Sequence, residues 1–298
     1  MGKELASLYP VARQTFQEAD DALGFSLSQL CFEGPDDQLK MTEITQPAIL
    51  TMSTAVTRVL KEKGIVPQYL AGHSLGEYSA HVAAGTLDFA DAVRTVRKRG
   101  QYMQQAVPAG QGAMAAVLGM AIGPLQQVCD EAAQGEIVSP ANINSPDQIV
   151  ISGNAQAVER AAELAKERGA KRAIILQVSA PFHCALMQPA LDRLSPDLAA
   201  LSFRDPQVPV IANIDSEPKT TAAASRDGLV RQVTGAVQWS PSMQKLIQLG
   251  VKLFVEAGPG KVLCGLMRQI DRAQSCVNVE DEASLQKTLE RFTADFRG

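Results

Sequence analysis

Gly72-His73-Ser74-Leu75-Gly76-Glu77 decides how the rest of this 298-residue chain is read. An apolar run, residues 66–71, leads into it, and a helical pattern, residues 77–84, follows. Strand, sharp turn and helix, with G-x-S-x-G at the turn, is the setting of a nucleophile elbow. Gly72 and Gly76 are expected to leave room where side chains would clash, so that Ser74 can occupy a strained turn. Its hydroxyl would then stand clear of the sheet, at the positive end of the following helix. The Leu75 amide would point at any oxyanion formed there. The competing reading is an ordinary serine in a glycine-punctuated strand–helix turn.

Composition narrows the surroundings. Hydrophobic residues make up 46% and charged residues 20%, an ordinary mixture for a globular domain, and the net charge of −4 argues against general nucleic-acid binding. No apolar run approaches the ~18 residues of a membrane span, and residues 1–30 lack the layout of a signal peptide. The five cysteines are scattered and form no C-x-x-C. The expectation is therefore a reduced, cytoplasmic protein with no metal or redox cofactor.

Working outward from the elbow, residues 1–30 read as a helix that can bury Leu5, Leu8, Phe16, Ala19 and Leu23. Residues 34–37 read as a loop, and residues 48–63 as a long helix with Pro47 near its start and Gly64 just past its end. After the elbow helix, Asp88 caps a helix running to about Ala106. The character changes at the Gly-rich hinge 108–112. Strand, helix, strand, strand, helix and strand follow over residues 113–118, 122–133, 137–142, 148–153, 155–168 and 170–178, the split order of a ferredoxin-like module. The fold class expected is α/β, with a discontinuous main domain (1–110 and 179–298) interrupted by a module at 111–178. The main domain resumes with helices at 186–201, 226–234 and 240–249, strands at 208–214 and 252–257, and a last helix from Lys261. Residues 220–225 read as a mobile loop.

A serine hydroxyl needs a neighbouring base, and the chain has three histidines. His73 adjoins Ser74 and His81 lies further along the elbow helix, so both face other directions. His183, in Pro181-Phe182-His183-Cys184, sits where the module returns to the main domain, a place where ligands bind. It is the best candidate by elimination, and Cys184 is a weaker rival nucleophile. A hydrolase triad also needs an acid between the serine and the histidine. Asp130 and Asp147 fall inside the inserted module. Either the triad is degenerate, or something other than a carboxylate orients the histidine.

Taken in order, several motifs resemble the malonyl-CoA:acyl carrier protein transacylases of bacterial fatty-acid synthesis. They include Gln46-Pro47-Ala48, the elbow, Arg99-Gly100 with Met103-Gln104, Gly112-Ala113-Met114-Ala115 and Ser139-Pro140-Ala141-Asn142-Ile143-Asn144-Ser145-Pro146. Pro181-Phe182-His183-Cys184, Val230-Arg231-Gln232, Val237-Gln238-Trp239 and Gly258-Pro259-Gly260-Lys261-Val262-Leu263 complete the series. The resemblance spans nearly the whole chain. It implies an α/β-hydrolase-like parallel-sheet domain with an inserted ferredoxin-like subdomain, and a catalytic Ser74–His183 dyad. By the same resemblance the Gln232 main-chain carbonyl orients His183, a role that leaves its side chain uninformative, and Arg99 grips the free carboxylate of a malonyl group. Phe182 crowds branched acyl groups, and Asn142, Asn144 and Met103 lie near the substrate.

The implied chemistry is ping-pong transfer from malonyl-CoA, through a malonyl-serine ester, to the phosphopantetheine thiol of an acyl carrier protein, with no cofactor, nucleic acid or membrane involved. Lys166, Arg168, Lys171 and Arg172, or Arg94 and Lys98, are the candidate docking patches for an acidic carrier. Members of that family open with an apolar strand and a Gly-Gln-Gly-Ser-Gln segment whose glutamine gives a second oxyanion donor; this sequence opens just after it. A truncated or misassigned start is the expectation, with poor stability and feeble transfer if the chain is complete as given. A serine esterase or thioesterase and a weak acyl-CoA or carrier-binding subunit are the alternatives.

Overall fold

Residues 1–296 are described by a computed structural model. The N-terminal helix expected over residues 1–30 is in three pieces, α1 (Lys3–Leu8), α2 (Pro10–Leu23) and α3 (Leu27–Glu33). Pro10 has no amide proton and so restarts a helix at its first position, while Gly24 ends it at φ 72°. Phe16 and Ala19 are buried as expected, whereas Leu8 is 53% exposed. Part of the expected loop at 34–37 is a short α4 (Asp36–Leu39). The long helix α5 (Thr42–Glu62) begins well before Pro47, which lies inside it. Leu50, Met52, Ala55, Val56 and Val59 of α5 are buried at the centre of the main core.

The elbow follows: β1 (Leu70–Ala71), then α6 (Leu75–Ala83) and α7 (Phe89–Gln105). β1 is shorter than the expected 66–71, and Val66 is 72% exposed. The expected cap on α7 is present, with Asp88 accepting a hydrogen bond from the Ala90 amide. Gly100 lets α7 cross α5 closely, since a Cβ there would lie 2.7 Å from the Thr42 carbonyl oxygen.

The module contains β2 (Gly112–Leu118), α8 (Ile122–Ala133), β3 (Val138–Ser145), β4 (Gln148–Asn154), α9 (Ala155–Glu167) and β5 (Arg172–Ile175). Its strands lie in the order β3-β4-β2-β5, every pairing antiparallel. That is the ferredoxin-like arrangement, with α8 and α9 burying Leu125, Val128, Val158 and Ala161 against the sheet. β5 ends at Ile175 rather than 178.

The main domain resumes with α10 (Gln188–Ala200), β6 (Val210–Ile211), β7 (Pro218–Lys219), α11 (Ala222–Gln232), α12 (Trp239–Gln248), β8 (Leu253–Ala257), α13 (Val262–Ile270), β9 (Ser275–Val279) and α14 (Glu282–Phe296). The fold is α/β-hydrolase-like with the ferredoxin-like subdomain set into it. Its parallel pairings are β1 with β6 and β8 with β9, which fall in two separate sheets among the described residues. The loop expected at 220–225 is ordered into α11, because the Thr221 hydroxyl accepts a hydrogen bond from the Ala224 amide and starts the helix. The sequence pattern predicts neither β7, β9 nor α14.

The cysteine expectation also needs correction. Cys264 on α13 and Cys276 on β9 form a disulfide, with Cα atoms 5.4 Å apart. The β8–α13–β9 unit brings them together, a proximity that scattered spacing does not reveal. Cys31, Cys129 and Cys184 are free and buried.

Candidate active site

The elbow is built by close backbone approach. A Cβ on Gly72 would lie 1.9 Å from the Gly76 carbonyl oxygen and 2.6 Å from the Glu77 nitrogen, so only glycine fits where β1 turns into α6. A Cβ on Gly76, by contrast, would meet nothing within 4 Å, which corrects the expectation that both glycines relieve a clash. Ser74 sits at φ 51° and ψ −107°, a strained conformation for an L-residue. Asn213, just beyond β6, braces the turn from both ends: its Oδ1 accepts from the Ser74 amide at 2.7 Å, and its Nδ2 donates to the Gly72 carbonyl at 2.7 Å. Among the described residues the Leu75 amide has no hydrogen-bond partner.

Ser74 Oγ lies 2.7 Å from His183 Nε2, although the two residues are 109 apart in sequence. His183 is buried and at φ 60°, and its Nδ1 is 3.0 Å from the Gln232 carbonyl oxygen. A carbonyl can only accept, so Nδ1 carries the proton and Nε2 is left free to accept one from Ser74. Burial, reinforced by the nearby Arg99 charge, holds His183 down to about 3, so its imidazole is neutral at ordinary pH. The other histidines lie elsewhere. His73 Nε2 is 2.8 Å from Asn144 Oδ1, with its ring beside Trp239, and His81 is fully buried with no hydrogen bond to either ring nitrogen. Cys184 is buried, its thiol donating to the Pro181 carbonyl.

Arg99, on α7, reaches the same point. Its Nη2 donates to Ser74 Oγ at 3.1 Å and to Gln232 Oε1 at 3.0 Å, and Nη1 donates to Gln46 Oε1 at 2.7 Å. The guanidinium lies 5.5 Å from the centre of the Tyr78 ring, and Arg99 is 1% exposed. Among the described residues it makes no ion pair, and its Nε has no partner. A buried cation whose hydrogen bonds go only to neutral groups is well suited to an anionic ligand.

The Gln232 side chain is far from uninformative. Its Nε2 donates to the Ser74 carbonyl at 3.0 Å and to Glu77 Oε2 at 2.7 Å, while Oε1 receives Arg99. Phe182 packs against both the main core and the Met114, Ala116, Ala141 and Val150 cluster of the module. Asn142 is buried and its backbone bridges to Val237; Met103 is buried within the main core. The sequence marks Gln46 and Glu77 only as members of motifs and gives Tyr78 and Asn213 no role. Asn213 has no local signal at all, because its role comes from where β6 ends.

Several of the basic side chains considered for docking are paired. Arg168 meets Glu131, Lys171 meets Asp147, Arg94 meets Asp91 and Lys98 meets Asp197. A depression of about 730 Å³ lies away from the dyad, lined by residues such as Arg268, Arg272 and Gln274, and includes none of the dyad's partners. No group of three or more His, Cys, Asp or Glu among the described residues is placed to hold a metal, and no described helix is long and apolar enough to cross a membrane.

The buried ionisable groups set an expected acid response. Burial lowers both His183 and His81 to about 3. As pH falls below ~6.5 the unfolded chain protonates these histidines and the folded chain does not, so each costs about 1.4 kcal/mol of stability per pH unit. Burial raises Glu77 to about 7, against the pull of its hydrogen bonds. Glu77 therefore opposes the loss between about pH 7 and 4.5, where the folded state alone takes up its proton, and stops opposing it below that. Urea midpoints are expected to fall gently from pH 7 to 5 and steeply from pH 4.5 to 3.5. A flat or rising midpoint across the lower window would contradict this.

The strained serine, the histidine and the buried arginine meet at one point, an arrangement whose chemistry suits acyl transfer. The acyl transferase domain family matches residues 1–297, and the chain belongs to that family. The malonyl CoA-acyl carrier protein transacylase of Bacillus subtilis is 50% identical over 291 residues, covering 97% of this chain and 92% of its own. The solved structure of the Coxiella burnetii malonyl CoA-acyl carrier protein transacylase is similar at a TM-score of 0.96 and 44% identity, covering 98% of this chain and 93% of that one. A malonyl-transacylase solved in complex with its type II PKS acyl-carrier protein is similar at a TM-score of 0.95 and 48% identity, covering 98% and 94%.

Proposed function

We propose that this chain transfers a malonyl group from coenzyme A to the phosphopantetheine thiol of an acyl carrier protein, in fatty-acid biosynthesis and in the cytoplasm. The observation that carries the reading is the buried Arg99 cation, without an ion-paired carboxylate among the described residues and 3.1 Å from Ser74 Oγ. A nucleophile set beside an unpaired guanidinium selects an acyl group that itself ends in a carboxylate. The working division of the chain is 1–110 and 179–298 for the acyltransferase domain, and 111–178 for the subdomain.

Neutral His183 takes the Ser74 proton at Nε2 as Oγ attacks the thioester carbonyl. The Gln232 carbonyl, accepting from Nδ1–H, steadies the imidazolium that results. The Leu75 amide donates to the oxyanion of the tetrahedral intermediate. The C–S bond then breaks, His183 returns its proton to the departing CoA sulfur, and a malonyl-serine ester remains. In the second half the carrier's thiol gives its proton to His183 and attacks the ester. The C–Oγ bond breaks and His183 reprotonates Ser74. Arg99 exchanges its hydrogen bond to Ser74 Oγ for the malonyl carboxylate. Phe182, Asn142, Asn144 and Met103 complete the proposed acyl-binding surroundings.

The test is intact-protein mass after brief exposure to malonyl-CoA. A malonyl adduct is expected on this chain and not on Ser74→Ala, and adding a phosphopantetheine-bearing carrier should move it to the carrier. A folded chain that gains no adduct defeats the reading. An adduct lost to water as fast without carrier as with it means an esterase instead.

A further inference from the structure

Glu77 has no part in the steps above, yet its carboxylate is completely buried three residues beyond Ser74. Its Oε2 accepts from the Asn213 amide at 3.0 Å and from Gln232 Nε2 at 2.7 Å. Its Oε1 has no hydrogen bond among the described residues and lies 4.0 Å from His81 Nε2. A buried carboxylate is costly to desolvate, and an apolar side chain of the same shape would avoid that cost.

The hydrogen bonds around Gln232 bear on what the carboxylate does. The two ends of the Gln232 amide face opposite demands: Nε2 meets two acceptors, the Ser74 carbonyl and Glu77 Oε2, while Oε1 meets a donor, Arg99 Nη2. Turning the amide over would set its N–H groups against the guanidinium and its oxygen against two oxygens. Glu77 Oε2 already accepts from the Asn213 amide and remains an acceptor even when Oε1 carries a proton, so Glu77 favours one orientation. That orientation supplies one of the three acceptors fixing Arg99, the others being Gln46 Oε1 and Ser74 Oγ.

We propose that Glu77 is a positioning residue: it locks the Gln232 side-chain amide in one orientation and through it holds Arg99 where an acyl carboxylate is read. Glu77 is thus a determinant of acyl-group selectivity that touches no substrate. The inference rests on the proposed role of Arg99 as the carboxylate grip.

The measurement is the ratio of serine acylation rates (kcat/KM) from malonyl-CoA and from acetyl-CoA, which lacks the carboxylate. Glu77→Met removes the acceptor; the malonyl rate is expected to fall by about 10²-fold, chiefly through KM, as for a displaced positioning group. The acetyl rate should stay within a few-fold, so the ratio falls. Glu77→Gln can still present an oxygen to Gln232 and Asn213, and should keep the wild-type ratio. If Glu77→Met does not fold, Glu77→Asp, which withdraws the carboxylate by one methylene, must lower the ratio in its place. A folded variant lacking the acceptor that slows both acyl groups equally, or neither, overturns the proposal, since a merely structural role does not discriminate. Arg99→Ala separates the two levels. If it leaves the ratio unchanged, the Arg99 reading itself fails; if it lowers the ratio while the Glu77 variants do not, only the inference about Glu77 fails.

Discussion

His183→Ala is expected to slow acylation of Ser74 by about 10⁵–10⁶-fold, the loss seen when one member of a catalytic unit is removed. The geometry leaves no substitute base. Among the described residues His183 Nε2 is the only imidazole nitrogen within reach of Ser74 Oγ, at 2.7 Å; His73 is bound to Asn144, and His81 is sealed in the core. Arg99, the other side chain on the hydroxyl, stays protonated and stabilises charge without removing a proton. Alanine carries the same Cβ as histidine at the φ 60° of position 183, so it adds no new clash, and the elbow and Arg99 should stay in place. Single-turnover mass spectrometry with malonyl-CoA, alongside a thermal melt, checks this. A folded His183→Ala chain acylated within tenfold of the parent rate would remove the general base from the mechanism.

Gly72→Ala is expected to be severely damaging, costing more than about 4 kcal/mol or preventing folding. The new methyl would lie 1.9 Å from one backbone atom and 2.6 Å from another, and neither belongs to a flexible side chain. Relief requires parting β1 from α6. That would break the two hydrogen bonds through which Asn213 ties Gly72 to Ser74. Gly76→Ala is the matched control, because its Cβ would meet nothing within 4 Å and it lies within α6. Helix propensity alone should make that change stabilising by up to about 1 kcal/mol. Urea denaturation of the two variants checks the contrast, and similar stabilities would show that close approach at Gly72 is not what shapes the elbow.

The sequence was most informative where one local rule acts alone. The strand–turn–helix around Ser74, the Asp88 cap and the β-α-β-β-α-β order of the module each depend on residues close together in the chain, and each is present. It was least informative where elements from distant parts of the chain converge. The helix at residues 1–30 broke because Pro10 and Gly24 outweighed the apolar period. Residues 220–225 looked loop-like by composition, yet one threonine cap ordered them. Cys264 and Cys276 meet only because β9 lies beside β8.

The same division runs through the site. Ser74 announced itself by its turn, and His183 by its position at the return from the module together with the shortage of other histidines. The family resemblance added Arg99 and the Gln232 carbonyl. Asn213, Glu77 and the Gln232 side chain carried no local mark. Each is a common polar residue whose meaning depends on which neighbours the fold supplies: β6 delivers Asn213 to the elbow, and α11 delivers Gln232 between Glu77 and Arg99. The sequence by itself determined the elbow, the inserted module and the residue types able to carry acyl chemistry, because those follow from backbone sterics and local hydrogen bonding. Only the tertiary structure decided which buried groups face one another. A hydrogen bond's direction and a charge's partner are properties of a meeting point, and in this chain the meeting point joins α6, α7, α11 and the ends of β1 and β6.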